Sequence, residues 1–199
     1  TFEVAQGVQA AIEAGADIIS LSLGSDEHND LTRAVIQAGA SSGVLFLAAA
    51  GTEPTGHPVY PAAQPEVIGV TALNRNGCSV ANYANSGNFV EAAAPGAGVT
   101  VFNNQTFYGT GTSFSTAYVA GVAAGIASTK GLPMAEVRRM ITTETNPPAP
   151  GTRRAWPGVS TATSSPKSAS RCNGASILAN ATRRGTHLAA PPLGYCERS

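Results

Sequence analysis

A serine hydroxyl becomes a nucleophile only where a base can take its proton and donors await the oxyanion that forms. Ser113 is the residue whose setting best suits that chemistry. It lies in YGTGTSFSTAYVAGVAA (108–124), where a glycine- and threonine-rich turn meets a run of very small apolar residues. That run predicts a helix from about Thr112 to Ser128, which puts Ser113 in the first turn. The first N–H groups of a helix have no partner within it and favour developing negative charge. Gly109 and Gly111 would let a substrate backbone approach, and the small residues would let the helix sink into the core and hold the serine rigid. A second reading fits the same residues: Gly-Thr-Ser before a helix is often only a cap. Taken alone, the triplet favours the cap.

The preceding segments must carry this serine. From Phe2 to Ala14, Val4, Val8, Ala11 and Ile12 share one helical face, and Gly15 marks the end. ADIISLSLG (16–24) reads as a buried strand closed by glycine. Asp30 is the expected N-cap of a second helix, LTRAVIQAGASSG. VLFLAAAG (44–51) and EVIGVTAL (66–73) are two further apolar strands, separated by the turn-rich TEPTGHPVYPAAQ. Alternating helix and strand predict an α/β domain whose parallel sheet is covered on both faces. After Asn74 the texture turns to short strands, with NFVEAAAPG (88–96) and GVTVFN (98–103) the clearest, and LPMAEVRRMI (132–141) predicts a short helix with Pro133 in its first turn. Beyond Asn146 no period of 2 or 3.6 persists. The chain therefore divides into one domain over 1–145 and a Pro/Ser/Arg-rich tail over 146–199, expected to be poorly ordered with a short helix near Ala175–Ala181.

Composition excludes several classes. Apolar residues make up 43% and charged residues 12%, against a usual charged share of roughly 25%. Twelve basic and twelve acidic side chains cancel, so neither nucleic acid nor an anionic membrane is an expected partner. The longest apolar stretches are too short to span a bilayer. There is no phosphate loop, dinucleotide fingerprint or His/Cys metal cluster, and Glu53, Glu66 and Glu91 read as solvated or structural. His28 and His57 lie in the polar loops DEHND and GHP. Cys78, Cys172 and Cys196 have no metal-ligand spacing; a Cys172–Cys196 disulfide and free thiols both stay open. The chain opens TFEVAQGVQ, without initiator Met or signal peptide, and Thr1 reads as an interior point of a longer protein.

GTSFSTAYVAG (111–121) resembles the serine signature of subtilisin-like proteases, a Gly-Thr-Ser followed by small residues and ending Val-Ala-Gly. ADIISLSLG, VLFLAAAG, YPAAQPEVIGVTA and EAAAPG resemble other segments of that family, in the family's order, so the resemblance covers residues 2–142. It implies a three-layer α/β/α domain with a mostly parallel sheet, N-terminally truncated here, and a serine endopeptidase acting on an extended peptide or protein. By position Ser113 matches the nucleophile. Ser22, Leu23 and Gly24 match the strand edge that pairs with substrate, and Ala49, Ala50 and Gly51 match one wall of the pocket for the side chain before the cleaved bond. The resemblance implies a secreted or cell-envelope location and no organic cofactor. The family often binds calcium, but no set of carboxylates here specifies a metal site.

Three departures bear on activity. The family's catalytic aspartate and histidine lie N-terminal to the helix at 2–14, before this chain begins; RGTHLAA (184–190) puts Arg184 where a histidine would belong. Thr52 stands at the oxyanion-hole position, where the family carries an asparagine donor. Ala117 replaces a proline, which a helix accepts readily. The alternatives to an endopeptidase are a non-catalytic relative that keeps the peptide groove, and an inactive fragment.

Overall fold

Strands that are apolar on both faces need a layer on each side, and the chain supplies two pairs of helices for this. The computed structural model describes residues 2–143 apart from 76 and 78. In order, the elements are α1 (Phe2–Glu13), β1 (Ile18–Leu21), α2 (Asp30–Ser41), β2 (Leu45–Ala49), β3 (Val67–Leu73), β4 (Val90–Pro95), β5 (Ala97–Phe102), β6 (Gln105–Thr110), α3 (Thr112–Lys130) and α4 (Met134–Thr143). Strands β1 to β4 form one parallel sheet in sequence order, with Ile18 opposite Leu45 and Phe46 opposite Val67.

Alternation along β2 shows how the layers assemble. Leu45 and Leu47, with Ile68, Val70, Ala92 and Ala94, pack on Val119, Ala123 and Ile126 of α3 and on Val137, Met140 and Ile141 of α4. Phe46 and Ala48, with Ile19, Leu21 and Val67, pack on Val8 of α1 and Ile36 of α2. The result is a three-layer α/β/α fold. Ile36, Phe46, Leu47 and Ile68 are fully buried, each contributing about 1.5–3 kcal/mol through removal from water.

Several element ends differ from the sequence expectation. The N-cap of α2 is Asn29, not Asp30: Asn29 has extended backbone and its Oδ1 accepts from Thr32 N at 2.9 Å, while Asp30 is already helical. Strand β6 was not legible because every residue in it except Gly109 is exposed, which erases apolar alternation. Its partner β5 reaches it through Asn103 and Asn104, both at positive φ (47° and 59°), as a two-residue type I′ hairpin turn requires. The expectations for 146–199, including the short helix and the Cys172–Cys196 pairing, lie outside the described residues, as does Cys78.

Arg138 ties α4 to the entry of the sheet. Its Nη2 donates to the Glu91 carboxylate at 2.9 and 3.2 Å and to the Pro65 carbonyl at 3.1 Å, and its Nη1 donates to the Glu66 carbonyl at 3.3 Å. Burial pushes the Glu91 carboxyl above its usual range, and the Arg138 charge pulls it part of the way back. A carboxyl raised on folding binds its proton more tightly in the native state. Stability therefore falls as pH rises through the interval between the unfolded and folded values. Arg138→Met removes the offset and extends that interval upward. The variant should lose about 1–2 kcal/mol near neutral pH, given partial solvation of the pair, and less near the ordinary carboxyl pKa. Urea unfolding at the two pH values measures the difference.

Candidate active site

The start of α3 separates a capping serine from a free one. Its N-cap is Gly111, which makes no side-chain cap bond. The residues around Ser113 are anchored individually. Gly111 N donates to Gly96 O at 2.8 Å, and Thr116 Oγ1 donates to Thr112 O at 2.8 Å. Buried Ser115 donates to the carbonyls of Ala94 and Pro95 at 3.0 and 3.2 Å, fastening the helix to the end of β4. Phe114 lies over the cross-strand pair Gly98 and Gly109, where any side chain on either glycine would overlap its ring. Ser113 itself is exposed. It is a fixed, uncapped hydroxyl at a helix N-terminus.

That hydroxyl opens into a cleft of about 900 Å³ at the C-terminal ends of β1 and β2. Ser22, Leu23 and Gly24 line it, just past the last β1–β2 pair, Leu21 with Ala48. Ser22 Oγ donates to the Ser113 carbonyl at 3.5 Å, linking the end of β1 to the start of α3. Ala49, Gly51 and Thr52 line the opposite side. Ala50 does not: it is fully buried, and its carbonyl accepts from Asn85 Nδ2. Gly51 turns the chain at φ 97°, a conformation that favours glycine. Thr52 is exposed, and its Cγ2 methyl lies 4.0 Å from where a Cβ on Gly111 would sit. Seven of the eight residues singled out from the sequence thus share one cleft.

Sequence reasoning missed Asn85, which organises one side of that cleft. Asn85 is buried and uses every polar atom it has. Its Nδ2 donates to the carbonyls of Ala50 and His57, and its Oδ1 accepts from the N–H groups of Gly56 and Ser86, all at 3.0 Å. Its own N–H donates to Gly51 O at 3.0 Å, and Thr71 Oγ1 donates to its carbonyl. In ANYANSG an asparagine looks like any turn former, so no local signal marks it. Asn85→Ala would strand several buried backbone groups at once, costing about 3 kcal/mol or more. Equilibrium unfolding measures that loss.

Among the described residues, neither a histidine nor a carboxylate is hydrogen-bonded to Ser113. His57 lines the cleft, while His28 sits 3.4 Å from Asp30 and edge-on to Tyr60. No group of three or more His, Cys, Asp or Glu residues clusters among the described residues, and Glu91 is already held by Arg138. No helix among them is long and apolar enough to cross a membrane. The cleft thus sets the exposed Ser113, at the start of α3, beside the ends of β1 and β2.

Comparison with known proteins points in one direction. A family model described as the subtilase family matches residues 1–174, extending past residue 145. The thermophilic serine proteinase of Bacillus sp. (strain AK1) is 33% identical over 141 residues, covering 70% of this chain and 35% of that protein. Thermitase of Thermoactinomyces vulgaris is 32% identical over 140 residues, 69% of this chain and 50% of its own length. Among solved structures, the self-cleaved protease domain of PatA superposes with a TM-score of 0.67 at 29% identity, covering 72% of this chain and 59% of that one. The chain thus spans from about a third to a half of the length of these two curated relatives.

Proposed function

Because the chain belongs to the subtilase family, we propose that it carries the nucleophile and the substrate groove of a serine endopeptidase. The triad aspartate and histidine would be supplied by residues N-terminal to Thr1. The observation that carries this reading is Ser113, exposed and uncapped at the start of α3 within the cleft. A peptide would add a strand along Ser22–Gly24, which fixes its backbone. The side chain before the scissile bond would lie between that strand and Ala49–Gly51. The upstream histidine takes the proton from Ser113 Oγ as oxygen attacks the carbonyl carbon. The oxyanion forms beside the free N–H groups of α3 and the hydroxyl of Thr52. The C–N bond then breaks, the leaving amine receives the proton from the histidine, and water releases the acyl group by the reverse sequence. Secretion or attachment at the cell envelope accords with such a substrate.

This polypeptide alone would be nearly inactive, since without a base the serine stays protonated. Thr52 favours a second reading, a non-catalytic member that retains the peptide groove, because it alters the oxyanion-hole position. Labelling of the full-length protein by a generic fluorophosphonate separates the two. Modification of Ser113 supports the endopeptidase; an unlabelled but folded protein supports the binding module.

A further inference from the structure

A second cavity, of about 380 Å³, opens beside the turn that carries Ser113. The Gly96 carbonyl joins it to the cleft, accepting from Gly111 N at 2.8 Å and from Tyr83 Oη at 2.9 Å. Tyr83 and Thr110 line the second cavity, Thr112 and Ser113 line the cleft, and no described residue lines both. The two spaces therefore flank one short piece of backbone just before the serine. Strands β5 and β6 turn a face toward the second cavity. Ala97 pairs with Thr110 and Val99 with Tyr108, so these four share that face, while Phe114 covers the opposite one at Gly98 and Gly109. Arg75 lies over it. Its Cζ is 5.6 Å from the centroid of the Tyr108 ring, and its Nη2 donates to Tyr108 Oη at 3.2 Å. A guanidinium carries five N–H groups, and no carboxylate among the described residues is paired with this one. The ring steadies the exposed charge and leaves most of its donors facing solvent.

We propose that Arg75 is a specificity-determining residue for the leaving half of the substrate, drawing into the second cavity a peptide with an aspartate or glutamate shortly after the cleaved bond. The inference rests on the reading of the cleft given above. A chain lying along Ser22–Gly24 with its carbonyl at Ser113 fills the cleft with the half before that bond. The other half runs past Ser113, where the cavity beside Thr110 leaves room for it. Val80, Ala97 and the Tyr108 ring offer apolar contact there, and Arg75 is the one charged side chain among the described lining residues. Its planar fork matches the two oxygens of a carboxylate. The cleft has the opposite sign: Asp26 and Glu53 line it, and no Lys or Arg does so among the described residues. An acidic side chain is thus disfavoured before the bond and favoured after it, which fixes the register of the peptide.

The test uses the full-length protein and C-terminally amidated peptides that share one cleavage point, located by mass spectrometry. Aspartate or asparagine stands at the first, second or third residue after that point, so each pair of peptides differs by a single charge. At one of these positions the wild type should show a kcat/KM about two- to fivefold higher for the aspartate peptide, the scale of a solvent-exposed ion pair. The preference should fade in about 1 M salt, which screens such a pair. Arg75→Met should bring the ratio to within about 1.5-fold of unity by the same scale. Arg75→Lys should fall in between, since it keeps the charge and loses the planar fork. A ratio taken on one protein cancels any difference in folded fraction between variants. Equal rates within every pair, or a preference unchanged in Arg75→Met, overturns the assignment of Arg75, while cleavage of the asparagine peptides leaves the endopeptidase reading standing. Failure of both fluorophosphonate labelling and peptide cleavage overturns that reading, and this inference with it.

Discussion

Ser113→Ala in the full-length protein should abolish fluorophosphonate labelling and lower peptide turnover by about 10⁶-fold, the loss known for removing the serine of subtilisin, a member of the same family. The reason lies in how the start of α3 is built. Its cap is a glycine, so removing the hydroxyl of Ser113 takes away no cap bond. Thr112, Ser115 and Thr116, which are buried, keep their own contacts. The variant should therefore fold with its melting temperature nearly unchanged while losing its chemistry. Activity retained in Ser113→Ala would rule out Ser113 as the nucleophile. A large loss of stability would mean that the serine is a structural group after all.

The second large effect runs upward. Thr52→Asn should raise turnover by about 10²–10³-fold, the figure for the equivalent oxyanion donor in subtilisin, with little change in KM. Thr52 is exposed beside the helix start, with its methyl toward Gly111. Its hydroxyl sits on Cβ, one bond short of where an asparagine amide would present its donors, and β-branching limits its rotation. An asparagine carboxamide reaches further and stabilises charge that exists only in the transition state, so the gain belongs to kcat. Steady-state kinetics of the two proteins on one peptide substrate decide the matter. A rise of less than about threefold, against that scale, would show that the threonine hydroxyl already reaches the oxyanion.

Much of the architecture was legible because it rests on local patterns. The strands ADIISLSLG, VLFLAAAG and EVIGVTAL stand out as apolar runs, since a strand buried on both faces has no polar side to dilute the signal. β6 did not stand out, because an exposed strand has no burial pattern to read. The cap of α2 moved by one residue because Asn29 and Asp30 are both good caps, and only backbone conformation distinguishes them. The residues singled out by family order, Ser22–Gly24, Ala49, Gly51, Thr52 and Ser113, line one cleft. Ala50 lies among them in sequence but is fully buried, with its carbonyl bonded to Asn85 Nδ2.

The sequence by itself determined the alternation of helix and strand, the parallel sheet it demands, and the position of Ser113 in the first turn of a helix. These follow from side-chain size and period, which act over a few residues. Tertiary structure alone decided whether Ser113 was a cap or a free hydroxyl, since that depends on Gly111 bonding to Gly96 and on Ser115 bonding to the end of β4. It also set the contacts of Asn85 and Val59. Each acts on segments distant in sequence, Asn85 on residues 50–57 and Val59 on Gly24. No local pattern encodes a hydrogen bond or a van der Waals contact across some 30 residues; such contacts exist only once the sheet has brought the strand ends together.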